Sequence, residues 1–269
     1  MNKVIYARKS LFDEDELKAA QDAGFKVVYY LSDILDGDYV VPRYSMYPFV
    51  KDQYSELSFK KVNIINNMHQ HFYVANLGNY YNHIKDLTAE TIKLGYVSVS
   101  DIPFEPPYVL KGETNSRKSD WKGSMYAETR EDASRIFSEL SKDTLIGQQD
   151  IFARKFLKFK KYLTGIGGMP IIKEYRCFVA FGKVISKGFY WANYYDDLDE
   201  KPSVDDIPDE FLQKVIDAVG GNSNFYCIDV AQGEDEQWYV VELNCGMQAG
   251  LSMNDPVLFY KKLHDSIKE

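Results

Sequence analysis

The sequence predicts a mixed α/β protein, with a small α/β unit at the N-terminus and antiparallel sheets in the remainder. Three observations carry this. Residues 3–31 read strand, helix, strand, the signature of a βαβ unit. In the second half, EYRCFVA and KVISKGFYW flank Phe181-Gly182 and read as an antiparallel hairpin. Nearer the C-terminus, FYCIDVA and WYVVELN flank a short acidic, glycine-containing linker and read as another.

The elements follow in order. Lys3 to Ala7 is a short apolar strand, and Asp13 to Ala23 is a helix with acids at its start, ended by Gly24. FKVVYYL is a second strand, and a third, Tyr39 to Val41, stops at Pro42. Residues 43–78 are rich in aromatic residues without a clean period, and His69 and His71 form an H-x-H with no third ligand evident. Asn79 to Leu94 is expected to be helical, ended by Gly95. Pro103, Pro106 and Pro107 mark a boundary, which divides the chain into residues 1–104 and 105–269.

The second part opens on the strand YVLK. A polar loop follows, with Lys111, Arg117, Lys118 and Lys122 beside Gly112 and Gly123, but without Walker spacing. Thr129 caps a helix running to Lys142. IFARKFLKFKKYL is the most basic run, and its apolar residues fit helix and strand alike. TGIGGMP is a loop, and helices are expected over Pro208 to Val219 and Asp255 to Ile267.

The chain has 269 residues, of which 45% are hydrophobic and 27% charged, which describes an ordinary globular protein. A net charge of −8 argues against general nucleic-acid binding. Cys177, Cys227 and Cys245 form no CxxC and lie in apolar runs, so neither a disulfide framework nor a zinc site is indicated. MNKVIYARKS has too short an apolar run for a signal peptide, and no stretch is long enough to cross a membrane. A reducing cytoplasm is the expected setting.

Chemistry concentrates in the last hairpin. Asp229, Glu242 and Asn244 interrupt runs that should otherwise be core. Side chains alternate faces along a strand, so Glu242 and Asn244 share one. With a turn over Gly233 to Glu236, Gln232 pairs with Gln237 and Asp229 lies opposite Val240, diagonal to Glu242 and on its face. Two carboxylates and a carboxamide are hard oxygen ligands suited to Mg²⁺ that also holds phosphates. Arg176 and Lys187 are cations within apolar strands, where a charge needs a partner. Glu174 is the structural candidate for Arg176.

IDVAQGEDEQWYVVELNCGMQAGL resembles the last strands of the ATP-grasp superfamily, where a metal-binding acid precedes a Glu-x-Asn strand. More narrowly, FARKFLKF, GMPIIKEYRCFVAFGKV and FYW resemble a group of compact ATP-grasp proteins, often encoded by bacteriophages, that are predicted amide ligases. The resemblance runs from about Pro106 to the C-terminus. It implies a two-lobed ATP-grasp domain over residues 105–269, preceded by a smaller α/β domain. It also implies an ATP-dependent carboxylate–amine ligase acting through an acyl phosphate, with a small-molecule kinase or a nucleotide-binding module as alternatives.

Position by position, Lys111 matches the lysine before the phosphate loop, and Lys118 is a second phosphate contact. ARKFLK matches the adenine-reading hinge, so Phe156 and Leu157 would line the base while Arg154 or Lys155 reached phosphate. Arg176, with Lys187, would stabilise the transferring group, and Asp229, Glu242 and Asn244 match the ligands of Mg²⁺. ATP is then the nucleotide, with an unidentified carboxylate and amine as the other substrates. The lysines of the hinge stand where many relatives carry an acid for the ribose.

Overall fold

The computed structural model describes residues 1–9 and 12–268. Ser10, which ends the N-terminal decapeptide read above, lies outside the described residues, as do Leu11 and Glu269. Strands β1 (Lys3–Ala7), β2 (Lys26–Val28), β3 (Tyr39–Arg43) and β4 (Asn63–Ile64) form a parallel sheet in the order β2-β1-β3-β4. Helix α1 (Glu14–Asp22) connects the first two. The Asp13 side chain accepts from the Glu16 amide, and three acids sit in its first turn, where the helix dipole favours them. Strand β3 runs through Pro42 rather than stopping there. β4 pairs only with Tyr39 and Val40, so a residue without an N–H is tolerated further along.

The aromatic-rich stretch supplies helices α2 (Val50–Ser58) and α3 (Met68–Ala75), followed by α4 (Leu77–Ile84). His69 and His71 both lie on α3, where residues two apart point to different faces. His71 is buried and His69 exposed, so they share no ligand. The helix expected over 79–94 is corrected: it ends at Ile84, and Thr91–Lys93 is strand β5. Thr91 and Ile92 are β-branched, and their pairing with a distant strand overrides the local helical pattern.

That strand joins β6 (Tyr108–Gly112), β7 (Tyr126–Ala127) and β8 (Ile151–Lys155) in an antiparallel sheet, order β5-β8-β6-β7. Between them lie the short helix α5 (Trp121–Ser124) and α6 (Arg130–Lys142), the latter capped by the Thr129 side chain. Ala133, Ile136 and Leu140 of α6 pack with Tyr108, Leu110 and Ala153 in a core of their own. The expected boundary after residue 104 falls within the residues 94–153 that supply this core.

Hairpin β9 (Lys161–Thr164) and β10 (Pro170–Ile172) carries the TGIGGMP loop. Gly167 has φ 67°, and a Cβ there would lie 2.4 Å from the Ser119 carbonyl oxygen. Only glycine lets this loop approach the 118–120 turn so closely.

The last sheet is antiparallel, in the order β12-β11-β13-β14. Its strands are β11 (Glu174–Ala180), β12 (Lys183–Phe189), β13 (Phe225–Gln232) and β14 (Trp238–Cys245). Phe181 and Gly182 both have positive φ, the backbone of a tight two-residue hairpin turn. Helices α7 (Asp209–Val219) and α8 (Pro256–Ser266) flank the sheet. One apolar core joins its buried side to the parallel sheet, with Phe178, Phe225 and Phe259 in mutual ring contact. Among the described residues, no helix is long and apolar enough to cross a membrane.

Candidate active site

The register of β13 on β14 differs from the expected one in two ways. The turn is one residue longer, pairing Gln232 with Trp238, and a bulge at Val241 inserts another. Asp229 therefore lies directly opposite Glu242, not diagonal to it. Each shift alone would turn Asp229 to the far side. Together they restore parity, so Asp229, Glu242 and Asn244 share one face. The bulge is held from the other lobe: Arg154 donates to the Val241 carbonyl at 2.6 Å and to Thr88 Oγ1 at 2.7 Å, and Thr88 donates to the Val240 carbonyl at 2.6 Å.

Basic side chains converge on this face. The Arg176 guanidinium grips Asp229 with two hydrogen bonds, Nε to Oδ1 at 2.8 Å and Nη2 to Oδ2 at 2.7 Å. A third goes from Nη1 to the Gly250 carbonyl at 2.9 Å. The expected structural partner, Glu174, is not the one chosen. Lys111, reaching across from β6, donates to Glu242 Oε2 at 2.6 Å, while Asn244 donates to Oε1 at 3.1 Å. Burial opposes ionisation of Glu242, but Lys111 and Lys118 overcome it and hold the carboxyl well below the usual range. Lys118 donates to the Tyr190 hydroxyl at 2.8 Å. Burial works against its charge too, yet Tyr190, Glu242 and Glu174 keep it above the usual lysine range.

Lys111, Lys118, Glu174 and Glu242 line a cleft of about 400 Å³. Its walls also carry apolar side chains, among them Val109, Met125, Phe156, Leu157 and Ile172. Phe156 stands edge-on to Tyr126, at 5.1 Å between ring centres. The Phe156 amide is taken by the Pro107 carbonyl, whereas the Leu157 amide bonds to no protein group among the described residues. Lys155 lies in the wall of the cleft, exposed and 3.5 Å from Glu90.

Two of the expected site residues have further partners. Arg154 is buried in the wall of the cleft, and three of its five N–H donors go to Thr91, Thr88 and Val241, so it also ties the lobes together. Lys187 pairs with Cys177 across β11–β12, one residue out of step with Arg176, and so points to the opposite face. There it meets the exposed Asp209 at 3.2 Å, away from the cleft.

A divalent cation fits the donor set, because Asp229, Glu242 and Asn244 bring two carboxylates and a carboxamide to one sheet face. No group of three or more His, Cys, Asp or Glu side chains placed to hold a metal ion by themselves occurs among the described residues. Mg²⁺ would thus be held by Asp229, Glu242 and Asn244 together with phosphate oxygens, the sparing protein ligation that this ion accepts.

Sequence reasoning gave Glu174 only a structural part. It is 1% exposed, its Oε1 has no hydrogen-bond partner among the described residues, and burial lifts its pKa to about 8. The readable signal was its place two residues before Arg176, hence on the same face. Arg43 was missed altogether. From the N-terminal sheet it donates to the Gly246 and Ala249 carbonyls at 2.6 and 2.9 Å, bracing the loop whose Gly250 carbonyl receives Arg176. No local pattern marks it.

Comparison with known proteins agrees with this architecture. The solved structures that superpose along the chain include a RimK domain ATP-grasp protein from Sphaerobacter thermophilus, with TM-score 0.62, 14% identity and 98% of both chains covered. D-cycloserine synthetase DcsG superposes with TM-score 0.62 at 13% identity, covering 99% of this chain and all of that one. D-alanine–D-alanine ligase from Bacillus anthracis has TM-score 0.60 at 15% identity, with 98% and 95% covered. Identities this low establish the fold alone. No curated protein matches the sequence. The family model described as ATP-grasp domain, R2-K clade family 3, matches residues 98–263, which is more than half of the chain. The chain belongs to this ATP-grasp family.

Proposed function

We propose that the protein is an ATP-dependent carboxylate–amine ligase working through an acyl phosphate. The observation that carries the reading is the meeting of Asp229, Glu242 and Asn244 on one sheet face with Lys111 and Lys118, beside a cleft lined by both basic and apolar side chains. Such a cleft suits a flat base together with a triphosphate. The names of the superposed structures, a ligase and a synthetase among them, point the same way.

In this reading Phe156 and Leu157 line the base and the free Leu157 amide donates to it, while Lys111, Lys118 and Lys155 face the phosphates. Mg²⁺, when bound, supplies neutralising charge for the phosphoryl group in transfer. A substrate carboxylate oxygen bonds to the γ-phosphorus as the bond to the bridging oxygen breaks, releasing ADP. The amine lone pair then attacks the acyl carbon, the carbon–oxygen bond to phosphate breaks, and the displaced phosphate takes up the proton the nitrogen loses. Arg176 uses three of its five N–H donors on Asp229 and Gly250, which leaves two for oxygens where charge develops. Three buried free thiols suit a reducing compartment such as the cytoplasm.

The test is ADP release against a panel of amino acids and peptides with hydroxylamine present. A hydroxamate formed with ADP is the expected result. A phosphorylated hydroxyl product without hydroxamate would replace the ligase with a kinase.

A further inference from the structure

The Lys118 ammonium is held by aromatic groups, in contrast to Lys111, which meets a carboxylate. It lies 2.8 Å from the Tyr190 hydroxyl, 4.5 Å from the centre of that ring and 5.4 Å from the Trp191 ring. Ring faces attract an ammonium, and more strongly away from water. Arg176 lies 4.8 Å from the same Tyr190 ring, so the buried ion pair with Asp229 also braces this aromatic wall.

Glu174 stands next to Tyr190. The Tyr190 amide donates to the Glu174 carbonyl at 2.9 Å across β11 and the end of β12, which places the two side chains side by side on one face. Glu174 lines the cleft, is almost wholly buried, and leaves Oε1 without a donor among the described residues. A buried carboxyl oxygen left in this way calls for a partner that the fold does not supply.

We propose that Glu174, Tyr190 and Trp191 form a seat for the ammonium group of the amine substrate, with the Lys118 ammonium resting on its aromatic side in this structure and leaving Glu174 Oε1 unpaired among the described residues. Naming the ligand as the acceptor amine rests on the ligase reading; the existence of a seat for an alkylammonium ion does not. The lysine stem is slender and flexible, so Lys118 can turn towards a triphosphate and yield the space to a primary ammonium of similar width. A cation brought there offsets the burial that raises Glu174 and restores its carboxylate.

The experiment is titration of Lys118→Ala with propylammonium chloride, without nucleotide, against sodium chloride at equal ionic strength. Saturable binding is expected, raising the melting temperature by about 2–4 °C. The same titration of the double variant Lys118→Ala/Glu174→Gln should give no shift beyond the salt control. Should Lys118→Ala fold poorly, Lys118→Met keeps the stem, removes only the ammonium, and is titrated in its place. No saturable shift, or an equal shift with Glu174→Gln present, overturns the seat. Propylammonium binding in a protein that forms no amide from any carboxylate upholds the seat and removes the ligase reading. Amide formation by a protein whose Lys118 variants bind no propylammonium removes the seat alone.

Discussion

Arg176 and Asp229 face each other across β11 and β13, and the guanidinium fork meets the carboxylate through two hydrogen bonds, at 2.8 and 2.7 Å. Asp229 is fully buried and Arg176 nearly so. A charge in that position depends on its partner more than on water.

Removing the arginine should therefore cost more than the pair contributes. Arg176→Met leaves a buried carboxylate alone, and a loss of about 3–5 kcal/mol in unfolding free energy is expected. Adding Asp229→Asn should recover part of it. Chemical denaturation of the two single variants and the double variant measures the coupling, and simple additivity would show that the fork is not what holds Asp229.

Glu242 and Glu236 test whether β14 carries chemistry. Glu242→Gln keeps the shape, removes the charge that Lys111 holds, and should lower turnover at least about a hundredfold while the protein still folds. Glu236 sits in the turn, paired with Lys160 at the surface. Its change to glutamine should alter stability by no more than about 1 kcal/mol and leave turnover intact. Equal effects at the two positions would make the hairpin purely structural.

Glu174 should make stability fall as pH rises. Its carboxyl titrates near 4.5 in an unfolded chain and is raised by burial to about 8 in the fold. Between those values the native state holds a proton that the unfolded state has released, so its contribution is complete below pH 4.5 and lost by about pH 8. His71 acts in the opposite sense below its ordinary range, since burial lowers its pKa to about 4. The difference in melting temperature between wild type and Glu174→Gln, followed from pH 5 to 8.5, isolates Glu174. A constant difference would mean that the carboxyl is ionised throughout.

Lys187 should matter little. Its partner Asp209 is 90% exposed, and such surface pairs contribute about 0–1 kcal/mol. Lys187→Met is expected to keep turnover within about twofold of wild type, a rate change worth less than 0.5 kcal/mol. A loss like that of Glu242→Gln would return Lys187 to the reaction.

Much of the site was legible because strand alternation is local. Any window containing WYVVELNC shows Glu242 and Asn244 two apart among apolar residues, and FYCIDVA shows Asp229 in the same setting. The hairpin at Phe181-Gly182 and the cap at Thr129 were readable for the same reason. Register was not. The longer turn and the bulge at Val241 each move the pairing by one in the same direction, and they preserved the shared face only because they add to two, the period of a strand.

What the sequence by itself determined was the inventory: an α/β order, two hairpins, an acidic face and a set of basic residues without evident partners. Which base meets which acid was decided only in three dimensions. Lys111 and Glu242 are 131 residues apart, Arg154 finds the Val241 carbonyl 87 residues away, and Arg176 passes over Glu174 to reach Asp229, 53 residues on. Propensity and alternation arise from sterics and burial within a few residues, so a short window carries them. Ion pairing across strands and lobes depends on how the two cores pack and which carboxylates they remove from water, and that is settled by the whole chain at once.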